Sequence, residues 1–375
     1  MVNFDYASHT PVDERVLLEF CRVEREFFGN GHAAHLAGRA ADGEMRRVTA
    51  GIAGLLEVKP GEIIYTSGAS EANNLAIKGL TRAYKHVGRH VLSTCLEHPS
   101  VSGTLAALQD DGYEIELVKI SADGKIDLCA LKSALRDDTV LLCVSAVDSE
   151  IGVVQPIADI ADVLSAYPNC HLHVDAAQAM GKIPVHISGA STLCFSPHKF
   201  HGLCGSGVLF KREGVVLEPL IHGGVGRGGG ESAGIYRGGT PALALAASTY
   251  KALELALDTI GENFEKVAGL RRRMLDSLME YPMVRINSPP ESSPYILNLS
   301  VTGVNAAEFQ SKLDANGVLV SVKSACSTDN APSRPVFAIT KDKKNAMSSW
   351  RVSFSHLTTV DDVDEFLRAF DKGVN

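Results

Sequence analysis

The stretch TVLLCVSAV, residues 139–147, is apolar at nearly every position. A strand with one face in water alternates apolar and polar residues, whereas a strand covered on both faces is apolar almost throughout. Residues 139–147 therefore predict an inner strand of a sheet that carries helices on both sides. Sheets covered in this way are mostly parallel.

The neighbouring segments repeat one unit, an apolar run followed by a helical pattern. The further strand-like runs are EIIYT (62–66), HVLSTC (90–95), YEIELVKI (113–120) and HLHVDAA (171–177). The helical patterns are SEANNLAIKGLTRAYK (70–85), SVSGTLAALQDDG (100–112), DLCALKSAL (127–135) and IADIADVLSAY (157–167). This alternation predicts an α/β fold with a mostly parallel central sheet.

The pattern changes in the second half of the chain. STLCFSP (191–197) and SGVLFKR (206–212) are short strands with no room for a helix between them, and a long helical stretch follows at about 241–281. Later strand and helix patterns predict a smaller α+β unit. We expect a large domain at 11–252 and a small domain formed by 1–10 together with 253–375.

Composition narrows the class of protein. The 375 residues are 45% hydrophobic and 21% charged, with a formal net charge of -8, which argues against a nucleic-acid or membrane surface. We find neither a run long enough to span a membrane nor a signal peptide. The eight cysteines are scattered singly and indicate reduced thiols in a cytoplasmic protein.

Three polar segments follow predicted strands, where ligands bind in open α/β sheets. TSGASEANN (66–74) opens a helix, whose first amides favour an anion; VDAAQ contains Asp175 and Gln178; SPHK contains Ser196, His198 and Lys199. Taken singly, these are an ordinary helix cap, a turn residue and a solvated lysine. Together, a phosphate cradle, a carboxylate and a lysine suit pyridoxal phosphate (PLP).

A metal site is an alternative for part of this region. Nitrogen and sulfur ligands recur at short spacings in Cys194, His198, His201 and Cys204. Their spacing is not that of the usual zinc patterns, so we expect no metal.

Nine motifs, in this order, carry a resemblance to a known family: DYASHTPVD (5–13), TSGASEANNLAIKG (66–79), LEHPSV (96–101), SEIGVVQPI (149–157), HVDAAQAMGK (173–182), FSPHKFHG (195–202), RGGTP (237–241), SACS (324–327) and RVSFS (351–355). The chain closely resembles, nearly end to end, the cysteine desulfurases of the class V aminotransferase family. The resemblance implies the fold-type I scaffold of PLP enzymes.

The resemblance also implies roles for single residues. Lys199 would form the Schiff base with PLP, His98 would lie over the ring and shuttle protons, Asp175 would pair with the pyridine nitrogen, and Gln178 would bond the phenolate oxygen. The phosphate would be held by Ala69, Ser70, Ser196 and His198, and by Thr240 of the neighbouring subunit in a homodimer. Arg351 would bind the substrate carboxylate, with Ser149 nearby.

Cys326, on a loop at about 324–335, would take the sulfur of L-cysteine as a persulfide, leaving L-alanine. Lys323 and Arg334 flank this loop and are candidates for lowering the thiol pKa. The sulfur acceptor would be a protein serving iron–sulfur cluster assembly, tRNA thiolation or DNA sulfur modification. Three functions stay open: this desulfurase, a selenocysteine or cysteine-sulfinate lyase or other class V aminotransferase-like enzyme, and a non-catalytic partner-binding protein.

Several positions depart from the family pattern. Asp148 and Ser149 stand where two asparagines are usual, and His9 stands where a small hydroxyl residue is usual. GNGHAAH (29–35) replaces a motif with proline and serines, and 222–240 is unusually rich in glycine. An inward-facing Asp148 would repel a substrate carboxylate.

Overall fold

The computed structural model describes residues 1–223, 236–322 and 331–374. Its strands are β1 (Val2–Asn3), β2 (Ile63–Thr66), β3 (His90–Ser93), β4 (Glu114–Leu117), β5 (Thr139–Ser145), β6 (His171–Asp175), β7 (Thr192–Phe195), β8 (Gly207–Lys211), β9 (Val284–Ile286), β10 (Ile296–Val301), β11 (Val318–Leu319) and β12 (Ser349–Ser353). Its helices are α1 (Glu14–Glu26), α2 (Leu36–Leu55), α3 (Ala69–Ala83), α4 (Pro99–Asp110), α5 (Leu128–Ala134), α6 (Ile157–Leu164), α7 (Leu243–Asp258), α8 (Ile260–Leu278), α9 (Ala306–Ala315), α10 (Arg334–Thr340), α11 (Lys343–Met347) and α12 (Val360–Val374).

The central sheet has seven strands in the order β2-β8-β7-β6-β5-β3-β4. Strands β4, β3, β5, β6 and β7 are parallel to one another, whereas β8 is antiparallel to both β7 and β2. The link from β7 to β8 is too short for the crossover that a parallel pair needs, so the chain turns back. The predicted fold class, a mostly parallel sheet between helices, is confirmed.

The residues of β5 alternate between two hydrophobic cores. Leu141 and Cys143 pack into the core under α3 and α4, and Leu142 and Val144 pack into the core on the other face. Every residue of β5 is buried, which is why 139–147 reads as a continuous apolar run.

The smaller unit has its own core. Antiparallel strands β12-β10-β9 form a three-stranded sheet, and β1 pairs with β11 in parallel. Trp350, Phe309, Phe366 and Phe370 pack together in this core, which also contains Val2 and Phe4 from the start of the chain.

The helical stretch predicted at 241–281 is two helices, α7 and α8, separated at Thr259. Thr259 has φ -112° and ψ 12°, outside the helical range, and its hydroxyl donates to the Leu255 carbonyl. Residue 252 lies inside α7, whose buried face belongs to the core of the large sheet. Among the described residues, no helix is long and apolar enough to span a membrane.

Candidate active site

A cleft opens beyond the carboxyl ends of the parallel strands. It encloses about 1200 Å³ of empty space, its open mouth included. The predicted site residues that line it are Ala69, Ser70, His98, Ser149, Asp175, Gln178, Ser196, His198, Lys199 and Arg351. Parallel strands bring most of these residues together because their carboxyl ends meet at one edge of the sheet, whereas Arg351 comes from β12 of the smaller sheet.

Lys199 ends a short 3-10 turn, Pro197–Lys199, that follows β7. Its ammonium donates to the carbonyl oxygens of Ala7 and Ser8, both at 2.8 Å. The lysine is half-buried and its amine is anchored by backbone from the first ten residues. This differs from a solvated lysine, whose amine would have only water as partner.

Asp175 is the last residue of β6 and is 5% exposed. Its Oδ1 accepts from the Ala177 amide at 3.0 Å, and its Oδ2 accepts from Nδ2 of Asn73 at 2.8 Å. Asn73 was not predicted as a site residue. Its position on the buried face of α3, four residues after Ala69, was the available signal.

Gln178 is fixed at both ends of its amide. Its Nε2 donates to the Ala7 carbonyl at 2.9 Å, and its Oε1 accepts from Nζ of Lys182 at 2.9 Å. Burial lowers the pKa of Lys182 to about 7, and the charges of Lys199 and Arg351 add to the effect. Lys182 was also missed, although its spacing of four residues from Gln178 places the two on one side of a helical turn.

His98 is the N-cap of α4. Its Nδ1 accepts from the Ser100 amide at 3.1 Å and lies 2.8 Å from the Ser100 hydroxyl. Burial lowers the pKa of His98, and Lys199 lowers it further, against the opposing charge of Asp175. The imidazole is therefore neutral near pH 7.

The start of α3 forms one end of the cleft. The first amides of a helix have no partner within the helix and favour an anion. Gly207 lets the neighbouring backbone come close, because a Cβ there would lie 2.6 Å from the backbone of Gly68. The acidic residue of this turn, Glu71, accepts from the Ser67 amide at 2.7 Å and lies 3.4 Å from Arg237.

Ser196 and His198 lie beside that helix start. The Ser196 hydroxyl donates to the Ser206 carbonyl at 2.8 Å, so it accepts from Nδ1 of His198 at 2.8 Å. Burial, together with Lys199, His9 and Lys182, lowers the pKa of His198 to about 4. His9 stacks on His198 with ring centroids 5.7 Å apart, which gives this unusual histidine a contact at the edge of the cleft.

Arg351 lies on β12 and is 2% exposed. Its Nη1 donates to the Ser149 carbonyl at 2.7 Å, and its Nη2 donates to Asp5 Oδ1 at 2.9 Å and Ser8 Oγ at 2.7 Å. Its buried Nε has no hydrogen-bond partner among the described residues. Asp5 was not predicted as part of the site, although it opens the first motif.

Asp148 caps a turn and is not among the described residues that line the cleft. Its Oδ1 accepts from the amides of Glu150 and Ile151 at 2.9 and 2.5 Å, while its buried Oδ2 has no partner among the described residues. Burial raises the pKa of Asp148 to about 7, with a contribution from Glu150. Burial also raises the pKa of nearby Glu97 to about 8.

The four candidate metal ligands have separate surroundings. Cys194 Sγ donates to Asn73 Oδ1 at 2.9 Å, both ring nitrogens of His201 have protein partners, and Cys204 is exposed. Within the described ranges, the only cluster of three potential metal ligands lies elsewhere, on β3 and β4: His90, Glu114 and Glu116.

Four predicted residues lie away from this cleft or outside the described ranges. Cys326 and Lys323 belong to residues 323–330, outside the described part of the chain, as does most of the glycine-rich 222–240. Arg334 begins α10 and donates to the Glu97 carbonyl at 3.0 Å. Thr240 is exposed and lines a neighbouring pocket with Arg237.

The chain matches the model of the aminotransferase class-V family over residues 2–366. A curated relative named cysteine desulfurase IscS 1, from Archaeoglobus fulgidus, is 32% identical, with 98% of this chain and 95% of the relative covered. Two solved structures are each 30% identical. A NifS-like protein superimposes with a TM-score of 0.91, covering 99% of this chain and 98% of that one, and SspA in complex with cysteine superimposes with a TM-score of 0.82, covering 96% and 100%.

The resemblance predicted from the nine motifs is confirmed by these matches, since both the family model and the relatives span almost the whole chain. The chain belongs to the class V aminotransferase family, within its group of NifS/IscS-type cysteine desulfurases.

Proposed function

We propose that this enzyme uses PLP to remove sulfur from L-cysteine, giving L-alanine and a persulfide on Cys326. The observation that carries the proposal is the convergence of a lysine amine, a buried carboxylate and a buried guanidinium on one cleft: Lys199, Asp175 and Arg351. An amine can hold an aldehyde cofactor covalently, a carboxylate can hold a ring nitrogen protonated, and a guanidinium suits a substrate carboxylate.

The cleft has hydrogen-bond donors suited to both the phosphate and the phenolate oxygen of PLP. The start of α3 offers its first amides and the Ser70 hydroxyl as donors to a phosphate, and Ser196 lines the same part of the cleft. Gln178 Nε2 has a second hydrogen beyond the one given to Ala7, which can serve the phenolate oxygen. When bound, PLP supplies an electron sink that makes the α-hydrogen of an amino acid acidic.

Lys199 and His98 are the groups placed to act at the substrate α-carbon. The Lys199 amine donates to the backbone carbonyls of Ala7 and Ser8, and these acceptors can hold it as ammonium or as amine. His98 is neutral and half-buried at the same cleft. We assign removal of the α-proton to the lysine amine, and the neutral imidazole assists by donating a hydrogen bond from its N–H group.

Arg351 orients the substrate. A substrate α-carboxylate that replaces the Ser8 hydroxyl at Nη2 can form a forked pair with the buried guanidinium, and Asp5 and the Ser149 carbonyl hold the fork in a fixed plane. Ser149 is thus assigned to substrate binding through its carbonyl, which positions the arginine. Asp148 does not oppose the substrate, because its Oδ1 faces the amides of its own turn.

Cys326 takes the sulfur. Its thiolate attacks the sulfur of the bound cysteine, an S–S bond forms, and the C–S bond breaks with its electron pair left on carbon. That carbon takes a proton and becomes the methyl group of alanine. The persulfide then passes to a protein acceptor for iron–sulfur clusters, tRNA thiolation or DNA sulfur modification.

We further propose a cytoplasmic homodimer, with Thr240 reaching the phosphate of the neighbouring subunit. Thr240 is exposed near the start of α3 but outside the cleft of its own chain, which supports a role toward a second copy. The seven described cysteines are unpaired, which fits a reducing compartment.

The proposal is tested by incubating the purified protein, loaded with PLP, with L-cysteine and measuring alanine and sulfide together. Equal amounts of both products in the presence of a thiol reductant are expected, and Lys199→Ala is expected to give neither. Release of pyruvate instead of alanine, or normal turnover by Lys199→Ala, would refute the assignment.

A further inference from the structure

The side chain of Asn73 makes four hydrogen bonds in the interior behind the cleft. Its Nδ2 donates to Asp175 Oδ2 at 2.8 Å and to Ser100 Oγ at 2.9 Å. Its Oδ1 accepts from His173 Nε2 at 2.8 Å and from Cys194 Sγ at 2.9 Å. The residue is fully buried, so all four bonds are with protein.

We propose that Asn73 is a positioning residue that fixes the carboxylate of Asp175 and the proton of His98 at the same time. The proposal rests on the functions proposed above for Asp175 and His98. Asn73 itself is not among the described residues that line the cleft, so it acts through these two side chains.

The proton positions of this network follow from one constraint. An ionised carboxylate can only accept hydrogen bonds, so the NH₂ group of Asn73 must face Asp175 and its oxygen must face His173. His173 therefore carries its proton on Nε2, and its Nδ1 accepts from the Thr192 hydroxyl at 2.9 Å. Burial lowers the pKa of His173 to about 4 despite Asp175, which keeps this ring neutral.

Cys194 is the second donor to the side-chain oxygen of Asn73. Burial raises the pKa of its thiol well above the ordinary value, so it is a neutral S–H donor to Asn73 Oδ1. The asparagine amide thus has both hydrogens and both lone pairs in use. A rotation of the amide by half a turn would set its oxygen against the carboxylate, so the orientation is fixed.

The second arm of the network runs through Ser100 to His98. Ser100 Oγ accepts one hydrogen from Asn73, so its own hydrogen is free to donate to His98 Nδ1, 2.8 Å away. The Ser100 amide donates to the same nitrogen at 3.1 Å. Nδ1 of His98 therefore accepts from both the hydroxyl and the amide of Ser100, and the proton of the imidazole lies on Nε2.

This placement defines what His98 can do. A neutral imidazole with Nδ1 engaged and Nε2 protonated can donate a hydrogen bond from Nε2–H, and it has no free lone pair with which to take a proton. The lysine amine is left as the group that removes the α-proton. If Asn73 were only a buried polar residue satisfied by its neighbours, its substitution would leave the hydrogen bond from the Ser100 hydroxyl to His98 Nδ1 unchanged.

Two variants separate the arms of the network. Ser100→Ala cuts the arm to His98 and keeps the bond from Asn73 to Asp175. Asn73→Asp replaces the donor by a second carboxyl group facing Asp175 and turns the Ser100 hydroxyl away from His98. Asn74→Asp is the matched control, because this neighbour in α3 makes one bond, to the Ser70 carbonyl.

The first readout is the ¹⁵N spectrum of histidine side chains in cofactor-free protein near neutral pH, with His98 assigned by His98→Gln. We expect the Nε2–H form in the unmodified protein. In Ser100→Ala and Asn73→Asp, the Nδ1 resonance should move toward the position of a nitrogen that accepts fewer hydrogen bonds. In Asn74→Asp it should not move.

The second readout is steady-state turnover of cysteine by the PLP-loaded enzyme. Loss of one hydrogen bond predicts a fall in kcat of about fivefold for Ser100→Ala with KM unchanged, and a larger fall for Asn73→Asp. An Nδ1–H form of His98 in the unmodified protein, or unchanged His98 resonances in Ser100→Ala, would overturn the proposal. The spectra need neither cofactor nor turnover. They therefore test the proposal about Asn73 and His98 even if the protein shows no desulfurase activity.

Discussion

Asp148→Asn is expected to raise the free energy of unfolding, and this gain should become larger as the pH rises. The folded protein holds the pKa of Asp148 at about 7, mainly through burial, whereas the unfolded chain has the ordinary value of 3.8. The folded state therefore keeps the proton to higher pH than the unfolded state. For an acid this means that stability is highest at low pH and falls as the pH rises from about 4 to about 7.

The magnitude follows from the difference between the two pKa values. Each pH unit in that window costs about 1.4 kcal/mol, so the full penalty above pH 7 is about 4 kcal/mol. Asparagine has no proton to lose and its Oδ1 can keep both amide bonds of the turn. The stability gap between the variant and the unmodified protein should therefore widen by about 2 kcal/mol between about pH 5.5 and about pH 8.

The assay is urea unfolding of both proteins across that range. The groups acting on Asp148 are Glu150, which opposes its ionisation, and Arg351, which favours it; neither is changed by the substitution. Asp110→Asn removes the same formal charge from an exposed position and controls for net charge. A stability gap that is the same at both pH values would show that the buried carboxyl does not titrate as reasoned.

Other predictions concern binding and sulfur transfer. Arg351→Lys keeps the charge but loses the fork, so KM for cysteine should rise at least about tenfold in steady-state assays, and an unchanged KM would contradict the carboxylate role. Cys326→Ser should retain PLP but accumulate no persulfide by mass spectrometry after incubation with cysteine, because a hydroxyl is a far weaker nucleophile than a thiolate; sulfur found on another cysteine would contradict this. Thr240→Ala should weaken PLP binding about fivefold in equilibrium dialysis if its hydroxyl meets a phosphate, and equal affinity would remove it from the site.

The sequence predicted the parts of the site that depend on topology. Once the alternation of strands and helices indicates a parallel sheet, the carboxyl ends of the strands must share an edge. Asp175 and Lys199 each follow such a strand, and they line one cleft. Family motifs then supplied His98 and Arg351, which alternation alone does not identify.

The residues that were missed depend on contacts between distant parts of the chain. Asn73 and Asp175 are 102 positions apart, and Asp5 and Arg351 are 346 positions apart. In sequence, the spacing of Asn73 from Ala69 places both on one side of a helix, but it does not indicate that Asn73 faces a buried carboxylate. The break at Thr259 was missed for a related reason, since the helical pattern continues through it.

The first ten residues join the two cores to the site. Phe4 packs in the core of the smaller unit and accepts from the Ser353 amide at 2.7 Å, and a few residues later the carbonyls of Ala7 and Ser8 accept from Lys199. For protein engineering, these first residues therefore count as part of the proposed active site. Met1 is 93% exposed, so a purification tag joined there has room, whereas removal of the first eight residues would take away the Ala7 and Ser8 carbonyls that accept from Lys199.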